Sequence, residues 1–146
     1  MYRRTTQVEI IVFKIINGQV LLLLLKRNEQ KGGFWQPVTG GVEDGENLTQ
    51  AVDRELQEET GIKKYLRLIN DVYYFEFDTD EYGILKEYVF GVEVTPDIDV
   101  KFSPEHTEMK WCALEDSLAL LKFDTNKTAF KNLFSLLTQS GELLQK

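Results

Sequence analysis

Between residues 54 and 59 the chain reads Arg54-Glu55-Leu56-Gln57-Glu58-Glu59, and Gly61 follows two positions on. Residues three and four apart on a helix are neighbours, with Cβ atoms about 5–6 Å apart, so Glu55 faces both Glu58 and Glu59. At about 100° per residue, Glu55 and Glu59 fall in the same angular sector as Leu48, Ala51, Val52 and Leu56, the apolar stripe of the segment. Carboxylates on such an inward face repel one another and lose hydration, which raises their pKa values unless a strong cation compensates. Arg54 alone does not neutralise three of them. Carboxylate-rich oxygen sites suit hard cations such as Mg²⁺ or Mn²⁺, above all where substrate phosphates complete the coordination shell. The residues by themselves point to a divalent-metal site.

The surrounding segment, GGVEDGENLTQAVDRELQEETGI from Gly40 to Ile62, follows the spacing G-x5-E-x7-R-E-U-x-E-E-x-G-U, where U is apolar. Gly40, Glu46, Arg54, Glu55, Leu56, Glu58, Glu59, Gly61 and Ile62 fill every fixed position without a gap. The chain thereby resembles the Nudix hydrolases, whose defining box this is. The resemblance implies an α/β fold in which a mixed β-sheet is sandwiched between helices (α/β/α). It also implies metal-dependent cleavage of a phosphoanhydride bond, with Glu55, Glu58, Glu59 and the Gly40 carbonyl as metal ligands, Arg54 orienting Glu55, and Glu46 supporting the box loop.

The family draws its general base either from the box or from a later loop. Glu105 is the candidate here, because Glu105-His106-x4-Trp111 resembles an element of the dihydroneopterin-triphosphate and diadenosine-polyphosphate branches; Glu108 competes with it. Phe34-Trp35-Gln36-Pro37-Val38-Thr39-Gly40 and Phe123-Asp124-Thr125-Asn126-Lys127 add to the likeness, which is nearest to the dihydroneopterin-triphosphate and deoxynucleoside-triphosphate pyrophosphohydrolases. That branch implies release of pyrophosphate from a nucleoside or pterin triphosphate. The alternatives are a diadenosine polyphosphate hydrolase and a catalytically silent nucleotide-binding sensor, a reading disfavoured because all the box acids are present.

Other residues carry two readings each. Arg27 and Lys26 end a Leu-rich run near the box loop and are candidates for phosphate contacts; the bland reading is a solvated strand-end cation. Trp35 is a candidate for packing on a flat substrate ring, although buried aromatics mostly fill cores. His106, the single histidine, reads as a polar loop residue or a contact rather than a zinc ligand, since Cys112 is its one thiolate companion. Cys112 beside Trp111 reads as a small hydrophobe.

These groups need a scaffold. Val8 to Ile16 and Gln19 to Lys26 form a hairpin about Asn17-Gly18, and their consecutive apolar positions predict strands covered on both faces. The loop Asn28 to Gly33 leads through an extended Phe34 to Val38 to Gly40-Gly41, where backbone can approach a ligand closely. A helix from about Asn47 to Thr60, stopped by Gly61, carries the acids. Strands follow at Tyr65 to Asp78, Leu85 to Val94 and Glu108 to Leu114, then helices at Glu115 to Lys122 and Asn126 to Gln139, the last capped by Thr125.

Composition bounds the rest. The 146 residues suit one domain, 1–146, and the 42% hydrophobic content supplies one core. A net charge of −7 argues against nucleic acid as a partner, so the expected partner is a small nucleoside or pterin polyphosphate reached through metal. The Leu21 to Leu25 run is too short to span a bilayer. One cysteine excludes an internal disulfide, and Met1-Tyr2-Arg3-Arg4 does not lead into a signal-peptide apolar region, which predicts cytoplasmic residence, as a monomer or homodimer.

Overall fold

The computed structural model describes residues 5–141; the opening Met1-Tyr2-Arg3-Arg4, read above for a leader, lies outside the described residues. Strands β1 (Thr6–Ile16) and β2 (Gln19–Arg27) form the expected hairpin. Asn17 and Gly18 turn it with φ of 52° and 79°, the pair of left-handed residues that a two-residue hairpin of matching twist demands. A 3₁₀ turn at Glu29–Lys31 leads to β3 (Trp35–Gln36) and β4 (Val38–Gly41). Helix α1 (Leu48–Thr60) follows, then β5 (Arg67–Thr79), β6 (Gly83–Glu93), β7 (His106–Cys112), α2 (Leu114–Leu120) and α3 (Asp124–Gln139).

The strands make one mixed sheet in the order β3-β2-β1-β6-β5, with β4 joined to β1 and β7 to β2. Strand β1 pairs in parallel with β6 and antiparallel with β4 and β2. Because side chains alternate across a strand, β1 serves two cores. Val8, Ile10 and Val12 pack with Ala51, Val52 and Leu56 of α1. Ile11 and Phe13 pack on the other face with Phe130, Leu133 and Leu137 of α3. The consecutive apolar positions therefore reflect helices on both faces, the α/β/α arrangement that the resemblance implied.

Four of the differences between expected and observed element bounds have a tertiary reason. Tyr65 stays off β5 because its hydroxyl donates to Asp53 of α1 at 2.7 Å. Strand β7 starts at His106, which pairs with Arg27 across a bulge, and it ends before Leu114, which opens α2. Helix α2 stops at Leu120 because Leu121 bridges to Trp35. Thr125 does not cap α3; the helix begins at Asp124 behind Phe123, whose ring meets Phe34 edge-on at 5.3 Å and so fixes the entry of the chain.

Candidate active site

Helix α1 is started by Asn47, whose side chain accepts from the Gln50 amide while the Gln50 side chain accepts from the Asn47 amide. It ends where the Gly61 amide donates to the Gln57 carbonyl at 2.9 Å. Ala51, Val52 and Leu56 bury the inward stripe, and Glu55 and Glu59 are buried beside them, while the Glu58 side chain is 55% exposed. Two of the three acids thus face the sheet and the third lies at the rim.

Arg54 is the hub. Its Nε donates to Glu46 Oε2 at 2.6 Å and its Nη2 to Glu46 Oε1 at 3.0 Å, a two-pronged pair. Nη1 donates to Glu55 Oε2 at 2.8 Å and to Glu58 Oε1 at 3.2 Å, and Nη2 also reaches the Gly41 carbonyl at 2.7 Å. Glu46 in turn accepts from the Glu43 amide at 2.9 Å, so it ties the box loop to Arg54. These carboxylates, Glu46 foremost, push the Arg54 pKa above its ordinary value.

Glu55 remains short of positive charge. Burial lifts its pKa to about 7, against the opposing hydrogen bond and charge of Arg54, and Glu58 and Glu59 add to the rise. Its carboxyl group lies against the backbone of Gly40, where any Cβ would collide with it. Glu59 behaves oppositely. Its pKa is lowered, first by His106, then by Ser103 and Glu105, which together outweigh its burial. Ser103 Oγ donates to Glu59 Oε1 at 2.9 Å, and His106 Nδ1 lies 3.3 Å from the same oxygen.

The residues fit a hard divalent cation in type: buried carboxylate oxygens, a glycine backbone beside them, and a Glu55 carboxyl whose pKa burial raises in spite of Arg54. Among the described residues, no three acidic, His or Cys side chains converge closely enough to hold an ion as they stand. Glu58 is turned to Arg54, so a complete carboxylate set requires it to swing from that guanidinium.

The remaining candidates lie on the neighbouring strand ends. Glu105 sits in the loop before β7, near Glu59 and 3.6 Å from Lys31 Nζ. Its rival Glu108 is 3.7 Å from Lys26 Nζ, so these two candidates engage each other. Arg27 lies 6.0 Å from the Phe34 ring centroid, and its Nε is buried without a hydrogen-bond partner among the described residues. Trp35 is half-buried against the α3 core, with Lys110 Nζ 5.6 Å over its ring. Cys112 is buried, and burial raises its thiol pKa, as suits a packing residue.

His106, expected as a polar loop residue or a contact, is a buried contact at the start of β7: it is 6% exposed, and Gln36 Nε2 meets His106 Nε2 at 3.1 Å from the other side. Sequence reasoning passed over Glu9 and Glu87, both buried on the α3 face, with Asn126 Nδ2 donating to Glu9 Oε1 at 2.9 Å. An acid within the apolar run of β1 was the available signal.

Residues 5–134 match the NUDIX domain family, and the chain belongs to that family. It is 30% identical over 116 residues to an asymmetrical bis(5'-nucleosyl)-tetraphosphatase of Caenorhabditis elegans, covering 78% of this chain and 83% of that one. It is 28% identical over 143 residues to a dihydroneopterin triphosphate diphosphatase of Escherichia coli, covering 90% and 93%. A Myxococcus xanthus protein named octanoyltransferase is 37% identical over 119 residues, but the match spans 80% of this chain and only 33% of that protein. Among solved structures, one from Listeria monocytogenes described as a NUDIX hydrolase superposes with a TM-score of 0.82 at 26% identity, covering 96% of this chain and 99% of the other. Together these matches make the chain a hydrolase acting on acid anhydrides in phosphorus-containing compounds.

Proposed function

We propose that the chain is a divalent-metal-dependent pyrophosphohydrolase that cleaves a nucleoside or pterin triphosphate to the monophosphate and pyrophosphate, as one domain working in the cytoplasm. The observation that carries this reading is the burial of two box acids, Glu55 and Glu59, on one helix face, with the Glu55 carboxyl group against the bare backbone of Gly40.

In this reading Glu55, Glu58, Glu59 and the Gly40 carbonyl hold Mg²⁺ or Mn²⁺, which neutralises phosphate charge and acidifies a bound water. Arg54 fixes Glu55 through Nη1 and ties the box loop down through Glu46 and the Gly41 carbonyl. Glu105, near Glu59, takes the proton from the attacking water. Arg27 offers its unpartnered Nε to a phosphate oxygen, and Trp35 and Lys26, paired at the ends of β3 and β2, are the proposed contacts for the rest of the substrate although Trp35 packs on the α3 side of the sheet.

The second reading, hydrolysis of a diadenosine polyphosphate, draws on the Caenorhabditis elegans relative. Purified protein incubated with Mg²⁺ and dihydroneopterin triphosphate, dATP or diadenosine tetraphosphate separates the two by product identity. Pyrophosphate plus a monophosphate from a triphosphate supports the first; turnover of the dinucleotide alone supports the second. No turnover of any, with Glu58→Gln equal to wild type, leaves the silent sensor.

A further inference from the structure

We infer that His106 is a positioning residue for metal binding: pinned by Gln36, it holds Glu59 Oε1 from behind so that Oε2 is presented to the ion. The inference rests on the metal-dependent reading above. The geometry is a relay across three elements. Gln36 lies in β3, His106 opens β7, and Glu59 stands in the last turn of α1. The Gln36 Nε2 that meets His106 Nε2 at 3.1 Å can only donate, so Nε2 accepts and the ring proton sits on Nδ1, toward Glu59.

That proton is not yet well used. Nδ1 is 3.3 Å from Glu59 Oε1, yet the N–H does not point along the line between them, and Nδ1 is a buried donor without a hydrogen-bond partner among the described residues. A buried unsatisfied donor is costly, and a modest turn of the Glu59 carboxylate removes that cost. Ser103 Oγ, at 2.9 Å, already holds the same oxygen. Both protein donors therefore converge on Oε1.

The loop that carries them is itself fastened. The Ser103 amide donates to the Glu59 carbonyl at 3.2 Å, and the Asn28 amide donates to the Glu105 carbonyl at 3.0 Å. His106 thus links the ligand on α1 to the loop bearing Glu105, so that the proposed ligand and the proposed base are set by one assembly. Partners of this kind behind a metal ligand fix its orientation, and their loss weakens metal binding about 10- to 100-fold.

The test is Mn²⁺ affinity, read from the electron paramagnetic resonance signal of free Mn²⁺, with thermal melts confirming the fold of each variant. His106→Phe is expected to weaken binding about 10- to 100-fold, and His106→Asn, which keeps an N–H near the place of Nδ1, to restore most of it. Gln36→Leu, which releases the ring proton from Nδ1, is expected to give a smaller loss. Unchanged affinity in folded His106→Phe, or equal losses in the Phe and Asn variants, overturns the inference; if the Phe variant does not fold, unchanged affinity in Gln36→Leu does so. Glu59→Gln is the control. Its loss of Mn²⁺ with His106→Phe intact sinks the relay alone, whereas wild-type protein that binds no Mn²⁺ sinks the metal reading and the relay with it.

Discussion

The Glu55 carboxyl group occupies the space in which a side chain on Gly40 would stand. A Cβ there would run into Glu55 Cδ and Oε2. Strand β4 must present bare backbone at this point because α1 delivers an acid into it.

Gly40→Ala follows directly. The obstructing atoms are the end of a flexible side chain, so the fold survives with an off-rotamer cost of about 0.5–1.5 kcal/mol. The displaced carboxylate is a proposed metal ligand, and a misplacement of about 1 Å costs on the order of 100-fold in rate. Urea melts and kcat/KM measured together check the split: a large activity loss with a small stability loss.

Arg54→Ala removes the cation shared by Glu46, Glu55 and Glu58 and leaves the Gly41 carbonyl without that donor. Breaking a buried pair costs 3–5 kcal/mol, and partial exposure of this group lowers that to about 2 kcal/mol. The loss is larger at pH 8 than at pH 5, since protonation relieves the carboxylates left behind. Urea midpoints at the two pH values measure it; equal losses contradict the hub role.

Glu9 and Glu87 predict the pH dependence of the fold itself. Burial, followed by the charge and hydrogen bond of Glu87, holds the Glu9 pKa well above the usual carboxylate range, and burial raises Glu87 as well. The folded chain therefore binds more protons than the unfolded one. The stability linked to this pair is complete below the unfolded pKa of about 4.3 and is lost as pH rises toward the folded values. Glu9→Gln keeps an acceptor for Asn126 and supplies a permanent donor to Glu87. Its stability should match wild type near pH 5, exceed it at pH 8, and fall less steeply between them in urea melts.

Mn²⁺ should stabilise the folded chain. At 100 times its Kd a ligand specific to the folded state adds about 2.7 kcal/mol. Melting temperatures with Mn²⁺ and with a chelator give the difference, which should vanish in Glu55→Gln and Glu59→Gln.

Arg27 and Lys26 separate by their partners. Hydrogen bonds to charged groups contribute about 1.5–3 kcal/mol, so losing one from Arg27 to a phosphate oxygen raises KM about 10- to 100-fold in Arg27→Ala. Lys26, already near Glu108, should change KM far less. Steady-state kinetics on the preferred substrate decides; equal effects contradict the assignment.

Local patterns were legible in the chain. Asn17-Gly18 specified its own turn, the 3.6-residue period buried Glu55 and Glu59 on the stripe of α1, and Gly61 ended the helix. What escaped was pairing over distance. Gln36 and His106 are 70 residues apart, and Glu9 and Asn126 are 117 apart. A buried histidine and a solvated one look alike in sequence, because burial depends on which strand arrives alongside. The start of α3 failed for a related reason: a ring contact between Phe34 and Phe123 outweighed the capping preference of Thr125.

The parallel pairing of β1 with β6 also sets a timetable for biosynthesis. Val8 lies opposite Tyr88, so β1 waits for a strand made much later, and the sheet on which α1 docks lacks a neighbour until β6 emerges. A nascent chain halted just after α1 holds its acids on a helix with an incomplete platform. Long-range parallel pairing of this kind makes its closure the expected slow step of folding.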